Sequence, residues 1–334
     1  MIIRYLSIKN MLIMLFLSLL YLTPLLTGFN EFLLLLLTTV LIYSVAVSAW
    51  NIIGGFGGQL ELGSAAYLGL GAYTVGNLFL RFNLTPWIGI FIGGLVAMVL
   101  AMAITYPAIR LGVKGVWYAL TTISFVYILQ VVFLMWPGVG GPVEIWLPRY
   151  GWSLYYMTFR NSYLGYFYIM ASFLVIALLI NYRIKNSRLG YFLRALALDE
   201  DAAMSLGINV TKTKLYAIMI YSYIVGVLGG VYVCFTGFMH PVVDFNPNFS
   251  LEVTVLGLVG GPGEIFGPFV SSLLLVSLKE YLRGVFGAAI MGIYPAIYAT
   301  ILIVFIIFAP RGIVPTLKRI WRSTRIKKSE GVVQ

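Results

Sequence analysis

Charge is what this chain has least of: of its 334 residues only 10% are charged while 61% are hydrophobic. Soluble domains carry about 25% charged and 45 to 50% apolar residues. With a mean hydropathy of +0.96, the chain reads as a polytopic membrane protein rather than a soluble one. Cysteine is nearly absent too. The one cysteine, Cys234, lies in an apolar run, which excludes an intrachain disulfide and a thiolate metal cluster. The one histidine, His240, has no second imidazole or thiolate to complete a metal site, so it reads as an interface or loop residue and no metal is expected. No G-x-x-x-x-G-K-[ST] phosphate loop occurs, so the chain is not expected to bind or hydrolyse ATP by itself. Zincin, hydrolase and dinucleotide fingerprints are likewise missing, and no enzymatic activity is expected. The net charge of +11 does not point to nucleic acid, because no basic soluble domain with interleaved aromatics is present; it fits lysine and arginine gathered on the cytoplasmic side of a membrane.

What is present is a series of long apolar runs. A crossing takes roughly 20 apolar residues, so this length allows about ten helices joined by short loops: an all-α protein with one membrane domain over residues 1–310 and a basic tail over 311–334. The first run, 11–26, follows Arg4 and Lys9 as in a secretory signal, but no small-x-small cleavage site follows, so an uncleaved first span with a cytoplasmic amino terminus is expected. Further spans read as 32–50, 87–109, 116–135, 163–182, 215–235 and 265–282. The aromatic segment 136–162, with Trp136, Trp146, Trp152 and Tyr150, suits an external interface.

Two glycine-rich stretches interrupt the runs. In 51–78, Gly54, Gly55, Gly57, Gly58, Gly63, Gly69, Gly71 and Gly76 permit close helix packing or an unwound segment lining a cavity; packing is the preferred reading for most of them. The second stretch, GGPGEIFG from Gly260, follows a run 250–260 that is short for a span. If that run does not cross, the seven basic residues between 311 and 328 become external; if it crosses as a short or broken helix, the count is ten and both termini are cytoplasmic. The second reading is adopted. GGFGGQLELG in the first half resembles GGPGEIFG and hints at an internal duplication. The charges nearest to membrane depth are Glu61, Glu252, Glu264, Lys279 and Glu280, each near a span end or a glycine break, where interfacial and transport roles are both open.

The one substantial polar island is 183–214, with six of the 22 basic and three of the 11 acidic residues. Within it Asp199 is placed to cap a helix, Glu200 and Asp201 favour its first turn, and Gly207 stops it. Ala195, Leu198, Ala202 and Leu206 follow helical spacing and are expected to form one apolar face. The helix should lead into the span at Leu215. A short amphipathic helix outside the membrane reads as a docking element, against the plainer reading of a solvated loop.

These residues carry a family resemblance. The order Gly190, Arg194, Ala195, Glu200, Ala202, Ala203, Leu206, Gly207, Ile208 resembles the cytoplasmic coupling loop of the branched-chain amino acid ABC permease family of the LivM type. So do Asn51, Gly55, Gly58, Ser64, Gly71, Ala72 and Tyr73 in the first glycine stretch. Glu252, Gly257, Gly260, Gly267 and Pro268 resemble the second stretch, and FAPRGIVP resembles the turn after the last span. The resemblance implies a transport subunit of an importer of leucine, isoleucine and valine in the cell membrane. Its implied partners are a homologous LivH-type permease, two ABC ATPase subunits that hold ATP and magnesium, an extracytoplasmic solute-binding protein and membrane lipid, with no cofactor bound by this chain. It assigns ATPase coupling to Gly190, Arg194, Ala195, Asp199, Glu200, Ala202, Ala203, Leu206 and Gly207. It places Asn51, Gly55, Gly58, Ser64, Glu252, Gly257 and Gly260 at helix breaks or on the pathway. Importers of urea, amides or other amino acids within the same family, an ion-coupled secondary transporter and a non-pumping scaffold or channel are the alternatives.

Overall fold

The computed structural model describes residues 2–148, 150–159, 162–286, 293–309 and 311–319. Among them thirteen α-helices follow one another, joined by short connections except over 136–163. The first three are α1 (Ile2–Leu26), α2 (Glu31–Trp50), which continues as a π-helix over Asn51–Phe56, and α3 (Ser64–Phe82). Then come α4 (Pro86–Arg110), α5 (Gly115–Met135), α6 (Leu164–Lys185), α7 (Arg188–Leu198) and α8 (Glu200–Ser205). The series ends with α9 (Val210–Thr236), α10 (Pro241–Asp244), α11 (Pro247–Gly260), α12 (Gly267–Phe286) and α13 (Ile293–Phe308). Among the described residues five helices are long and apolar enough to cross a membrane: Glu31–Phe56, Pro86–Arg110, Gly115–Met135, Leu164–Lys185 and Val210–Thr236. Their outward faces carry Phe91, Leu95, Val99, Ile128, Val131, Ile176 and Leu179, all exposed, as a lipid-facing surface requires.

Helices α3, α4 and α9 meet without side chains between them. A Cβ on Gly71 would lie 1.9 Å from the carbonyl oxygen of Gly226, and one on Gly93 would lie 3.1 Å from the Cα of Gly71. Small residues at such crossings let backbones approach, and dispersion then replaces the hydrophobic drive that lipid cannot supply. This is the packing role preferred for the first glycine stretch.

The connections sort to two ends. At one end lie residues 51–63, the α4–α5 turn, α7 and α8, and the α11–α12 turn. They are joined by packing of Gly58 on Ala197, by Lys114 against Glu200 and by Lys185 donating to the carbonyl of Gly263. At the opposite end, Glu31 accepts from the Tyr163 N–H at 2.8 Å and Thr85 donates to the Tyr155 carbonyl at 2.6 Å. Four two-residue strands also lie there, in two antiparallel pairs: Ile145–Trp146 with Phe238–Met239, and Trp152–Ser153 with Thr158–Phe159. The helical expectation did not include them; they satisfy backbone groups in a segment too rich in proline and glycine to coil.

The region around 250–260 is a short helix entered from a non-helical segment. After α9, residues 237–246 descend beside α3: Met239 meets Gly76, and Phe245 meets Gly69 nearly two helical turns deeper. The backbone at that depth is served by side chains, with Gln130 Nε2 donating to the Phe245 carbonyl at 3.2 Å, as non-helical backbone inside a bundle must be. Helix α11 then covers only 14 residues, about 21 Å, before Gly261 at φ +105° turns the chain into α12. The turn is tight, since a Cβ on Gly260 would lie 2.5 Å from the Gly267 carbonyl oxygen, and the two helices run back to back.

Candidate functional site at the loop end

The polar island forms two helices, not one. Ser187 caps α7, its oxygen accepting from the Gly190 N–H, and Asp199 caps α8, accepting at 3.0 Å from the N–H groups of both Asp201 and Ala202. Asp199 is extended at φ −156°, ψ 114°, so the chain changes direction there. The expected single face of Ala195, Leu198, Ala202 and Leu206 is therefore broken. Leu198 is 90% and Leu206 83% exposed, Ala202 is exposed, and only Ala195 turns inward. The buried cluster is instead Leu196, Ala203 and Val210, with Ala195 and Ile208 packed against it. Gly207 adopts φ +85°, the left-handed end expected of it. The following span starts at Val210, five residues before the expected Leu215, because the Asn209 side chain caps it by accepting from Lys212 N–H at 2.9 Å.

Two residues fasten this unit to α6. A Cβ on Gly190 would lie 2.1 Å from the Ile184 carbonyl oxygen, so only glycine lets α7 fold back so closely. Arg194 donates to the carbonyls of Gly190 at 3.0 Å and Lys185 at 2.9 Å, with its guanidinium 4.7 Å from the Tyr191 ring centre. Helix α8 is tied to two other elements through Glu200, which pairs with Lys214 of α9 at 3.1 Å and Lys114 at 3.8 Å. Asp201 adds a pair to Lys114 at 3.5 Å.

The first glycine break lies directly against α7. Gly58, at φ +61°, faces Ala197, where an added Cβ would come 3.0 Å from the alanine Cβ; Gly57 faces Leu193. Asn51 opens the break and is buried. Its Nδ2 donates to Asn181 Oδ1 at 3.1 Å and to the Glu264 carbonyl at 3.2 Å, and its Oδ1 accepts from the Gly263 N–H at 2.9 Å. Gly55 leaves room for that side chain, since a Cβ there would fall 1.8 Å from Asn51 Oδ1. The π-helical turn over Asn51–Phe56 is the kind of local widening that places a polar side chain across a helix. Asn51 therefore clasps both glycine breaks and α6 together.

The connection between the break and α3 holds a buried acid. Glu61 Oε1 accepts from the Gly63 N–H at 2.9 Å and Tyr67 O–H at 3.0 Å, while its backbone carbonyl accepts from Trp50 Nε1 at 2.9 Å and Thr254 Oγ1 at 3.1 Å. Burial pushes the Glu61 carboxyl up to about 7. Ser64 shares a 2.5 Å hydrogen bond with Tyr221. Gly257 gives the Trp50 ring its place, for a Cβ there would be 2.4 Å from it.

The structure thus joins Gly190, Arg194, Asp199, Glu200, Ala203, Gly207, Gly58, Gly55, Asn51 and Gly260 in one contiguous region. Glu252 stands apart: it pairs with Lys279 at 2.8 Å deeper in the bundle. Two participants went unnoticed in the sequence. Asn181, a solitary amide in the apolar α6, donates to the Ser48 carbonyl at 2.8 Å; its only signal was being polar in a span. Asp244, buried in the descending segment, accepts from the His240 N–H at 2.9 Å.

Comparison with known proteins shows the family. The model of the family described as branched-chain amino acid transport system, permease component, matches residues 32–310. The high-affinity branched-chain amino acid transport system permease protein LivM of Salmonella typhimurium is 26% identical over 300 residues, covering 83% of this chain and 69% of that protein. A probable branched-chain amino acid transport permease protein LivH of Methanocaldococcus jannaschii is 25% identical over 260 residues, covering 74% and 80%. The xylose transport system permease protein XylH of Haemophilus influenzae is 29% identical over 124 residues, covering 36% and 33%. No solved structure matches the chain. The chain is an integral membrane protein that belongs to the branched-chain amino acid transport permease family.

Proposed function

We propose that this chain is one permease subunit of an ABC importer that carries leucine, isoleucine and valine across the cell membrane. In this reading ATP and magnesium are held by two partner ATPase subunits, a LivH-type permease completes the pathway, and an extracytoplasmic binding protein delivers the substrate. Helices α7 and α8 seat on an ATPase subunit.

The observation that carries the reading is the contact between Gly58 and Ala197. A helix pair with exposed apolar residues, Leu198, Met204 and Leu206, suits a partner on its outer side, and its inner side rests on a helix break. Force applied at α8 then reaches the break through α7 without a flexible link. Energy transfer between subunits needs such a stiff element with two arrangements available to it.

Ten crossings with both termini in the cytoplasm complete the proposal. It is supported by the sorting of connections to two ends and by the company of Arg110, Lys114, Lys185, Arg194, Lys214 and Lys318 with the polar island. Lys318 pairs with Glu264 of the α11–α12 turn, which draws the end of the described chain to that side. Reconstitution of the chain with a LivH-type permease, two ATPase subunits and a binding protein tests the function. ATP-driven uptake of leucine into vesicles is expected, and uptake that persists without the ATPase subunits would reject an importer.

A further inference from the structure

An ion pair in the outer half of the bundle is unused by the coupling arrangement above. Lys279 of α12 donates to both oxygens of Glu252 of α11 at 2.8 Å and to Tyr43 O–H of α2 at 3.3 Å. Its ammonium also lies 4.6 Å from the centre of the Tyr43 ring, and Tyr298 of α13 donates to Glu252 at 3.4 Å. Charges at such depth are costly, face cavities or partners rather than lipid, and are functional-site candidates by default.

Here the cavity is present. Lys279 and Tyr43 border a space of about 580 Å³ between α2, α9, α11 and α12. The apolar part of its wall is branched or aromatic: Leu35, Ile42, Phe235 and Phe249. Arg283 and Glu280 border it as well, and pair with each other at 3.5 Å. Lys279 and Arg283 are four residues apart and so stand one above the other on α12. One wall therefore presents two cations a turn apart, with Glu280 beside them and Glu252 behind Lys279, and the rest is mainly apolar with Thr39, Thr236 and Tyr232 among it.

We propose that this cavity binds the transported amino acid, with the substrate carboxylate between Lys279 and Arg283, its ammonium toward Glu280 and Glu252, and its branched side chain against Leu35, Ile42 and Phe249. The inference rests on the proposed function, since it takes a zwitterion with an apolar side chain as the cargo. The ion pair keeps both charges satisfied while the cavity is empty and exchanges partners when substrate arrives, so that neither state leaves a buried charge alone.

The test uses the assembled importer in lipid nanodiscs, with Cys234→Ala as background and Thr39→Cys on the cavity wall. Leucine is expected to slow labelling of this cysteine by a small thiol reagent. In Lys279→Met the leucine concentration needed should rise roughly tenfold or more, as loss of one charge-assisted bond to a ligand implies. Because Lys279→Met also strands Glu252, a second variant exchanges the pair, Glu252→Lys with Lys279→Glu. Abundance and assembly should recover in the exchanged variant while protection by leucine stays lost. Recovery of both would make the pair a packing lock and overturn the proposal. So would protection by a zwitterionic phospholipid but not by leucine, which would make the cavity a headgroup site. Absence of leucine protection in an assembly that does import leucine would reject this site alone. Failure of the unsubstituted assembly to import any branched-chain amino acid would reject the proposed function and this site with it.

Discussion

Asn51 and Gly263, 212 residues apart in the chain, share a 2.9 Å hydrogen bond in which the glycine N–H donates to the asparagine side chain. The bond joins the two glycine-rich breaks, and the remaining donors of Asn51 reach Asn181 and the Glu264 carbonyl. One buried amide thus fixes the relative position of α2, α6 and the α11–α12 turn. A side chain used in this way is hard to replace, because each partner left without it is a buried polar group.

Asn51→Leu should therefore destabilise the protein strongly. It strands the Gly263 N–H and one acceptor on Asn181, each at about 1 to 3 kcal/mol, and pushes a branched side chain toward Gly263. A clear fall in the thermal midpoint of the purified protein is expected. A midpoint equal to that of the unsubstituted chain would show that the clasp carries no stability.

Gly58→Leu tests the contact that transmits force. The position combines φ +61° with Ala197 facing it at 3.0 Å from a Cβ, so both backbone strain and overpacking apply, the latter at about 1 to 3 kcal/mol. ATP-driven uptake should fall sharply while the protein still inserts. Gly260→Leu meets the Gly267 backbone and should behave alike. Normal uptake at normal abundance in both variants would remove the breaks from the mechanism.

Much of the loop end was legible in sequence because caps and stops are local. Asp199 and Gly207 do what an N-cap and a left-handed terminator do, and the signal lies within a turn or two of each. The cap at Asp199 marked where α8 begins, but the helix α7 before it was not legible, and the spacing of Ala195, Leu198, Ala202 and Leu206 was read straight across the cap; only the extended backbone of Asp199 shows that Leu198 and Leu206 face outward. The partners of Asn51 were invisible for another reason. A lone amide in an apolar run announces that it needs a partner, but its spacing cannot say that the partner is Asn181 or the Gly263 backbone. The descent of residues 237–246 was hidden likewise, because it is set by the glycine surface of α3.

Glu61 predicts a pH dependence. Its carboxyl is raised from 4.5 to about 7 by burial, so the folded state holds its proton more tightly than the unfolded chain does. Stability from this group is complete below about 4.5, declines as pH rises toward about 7, and is level above that, with a slope of up to about 1.4 kcal/mol per pH unit. Glu61→Gln keeps an acceptor for Tyr67 and Gly63 and removes the titration. Its thermal midpoint should lose that decline, relative to the unsubstituted protein, across the same window. Parallel profiles would assign the dependence to other groups.

Topology can be read by accessibility. In the Cys234→Ala background, a cysteine at Ser187 should react only with reagents that enter the cytoplasm, and one at Ser153 with reagents that do not. The matching expectation for Ser323 lies outside the described residues, and its labelling decides whether the carboxyl-terminal tail is internal. Reaction of Ser323→Cys from outside would defeat the count of ten crossings.

The coupling helices give the most direct test of the proposed function. Ala203 is buried against Leu196 and Val210, so Ala203→Trp must lift α8 from the bundle, at a cost typical of overpacking, about 1 to 3 kcal/mol or more. Gly207→Val acts differently. Nothing lies within 4 Å of a Cβ there, so its whole effect is the strain of a β-branched residue at φ +85°, about 1 to 2 kcal/mol. That is enough to tilt α8 but not to unfold the chain. Both variants should insert and keep a near-normal thermal midpoint for the membrane bundle, because the cluster they disturb is separate from the main core. Binding of the ATPase subunit, or substrate-stimulated ATP hydrolysis in the assembly, should be lost in Ala203→Trp and reduced in Gly207→Val. Replacing residues 199–207 by a Gly-Ser linker removes the stiff element altogether, and an importer that still assembles and transports with that linker would refute the coupling role.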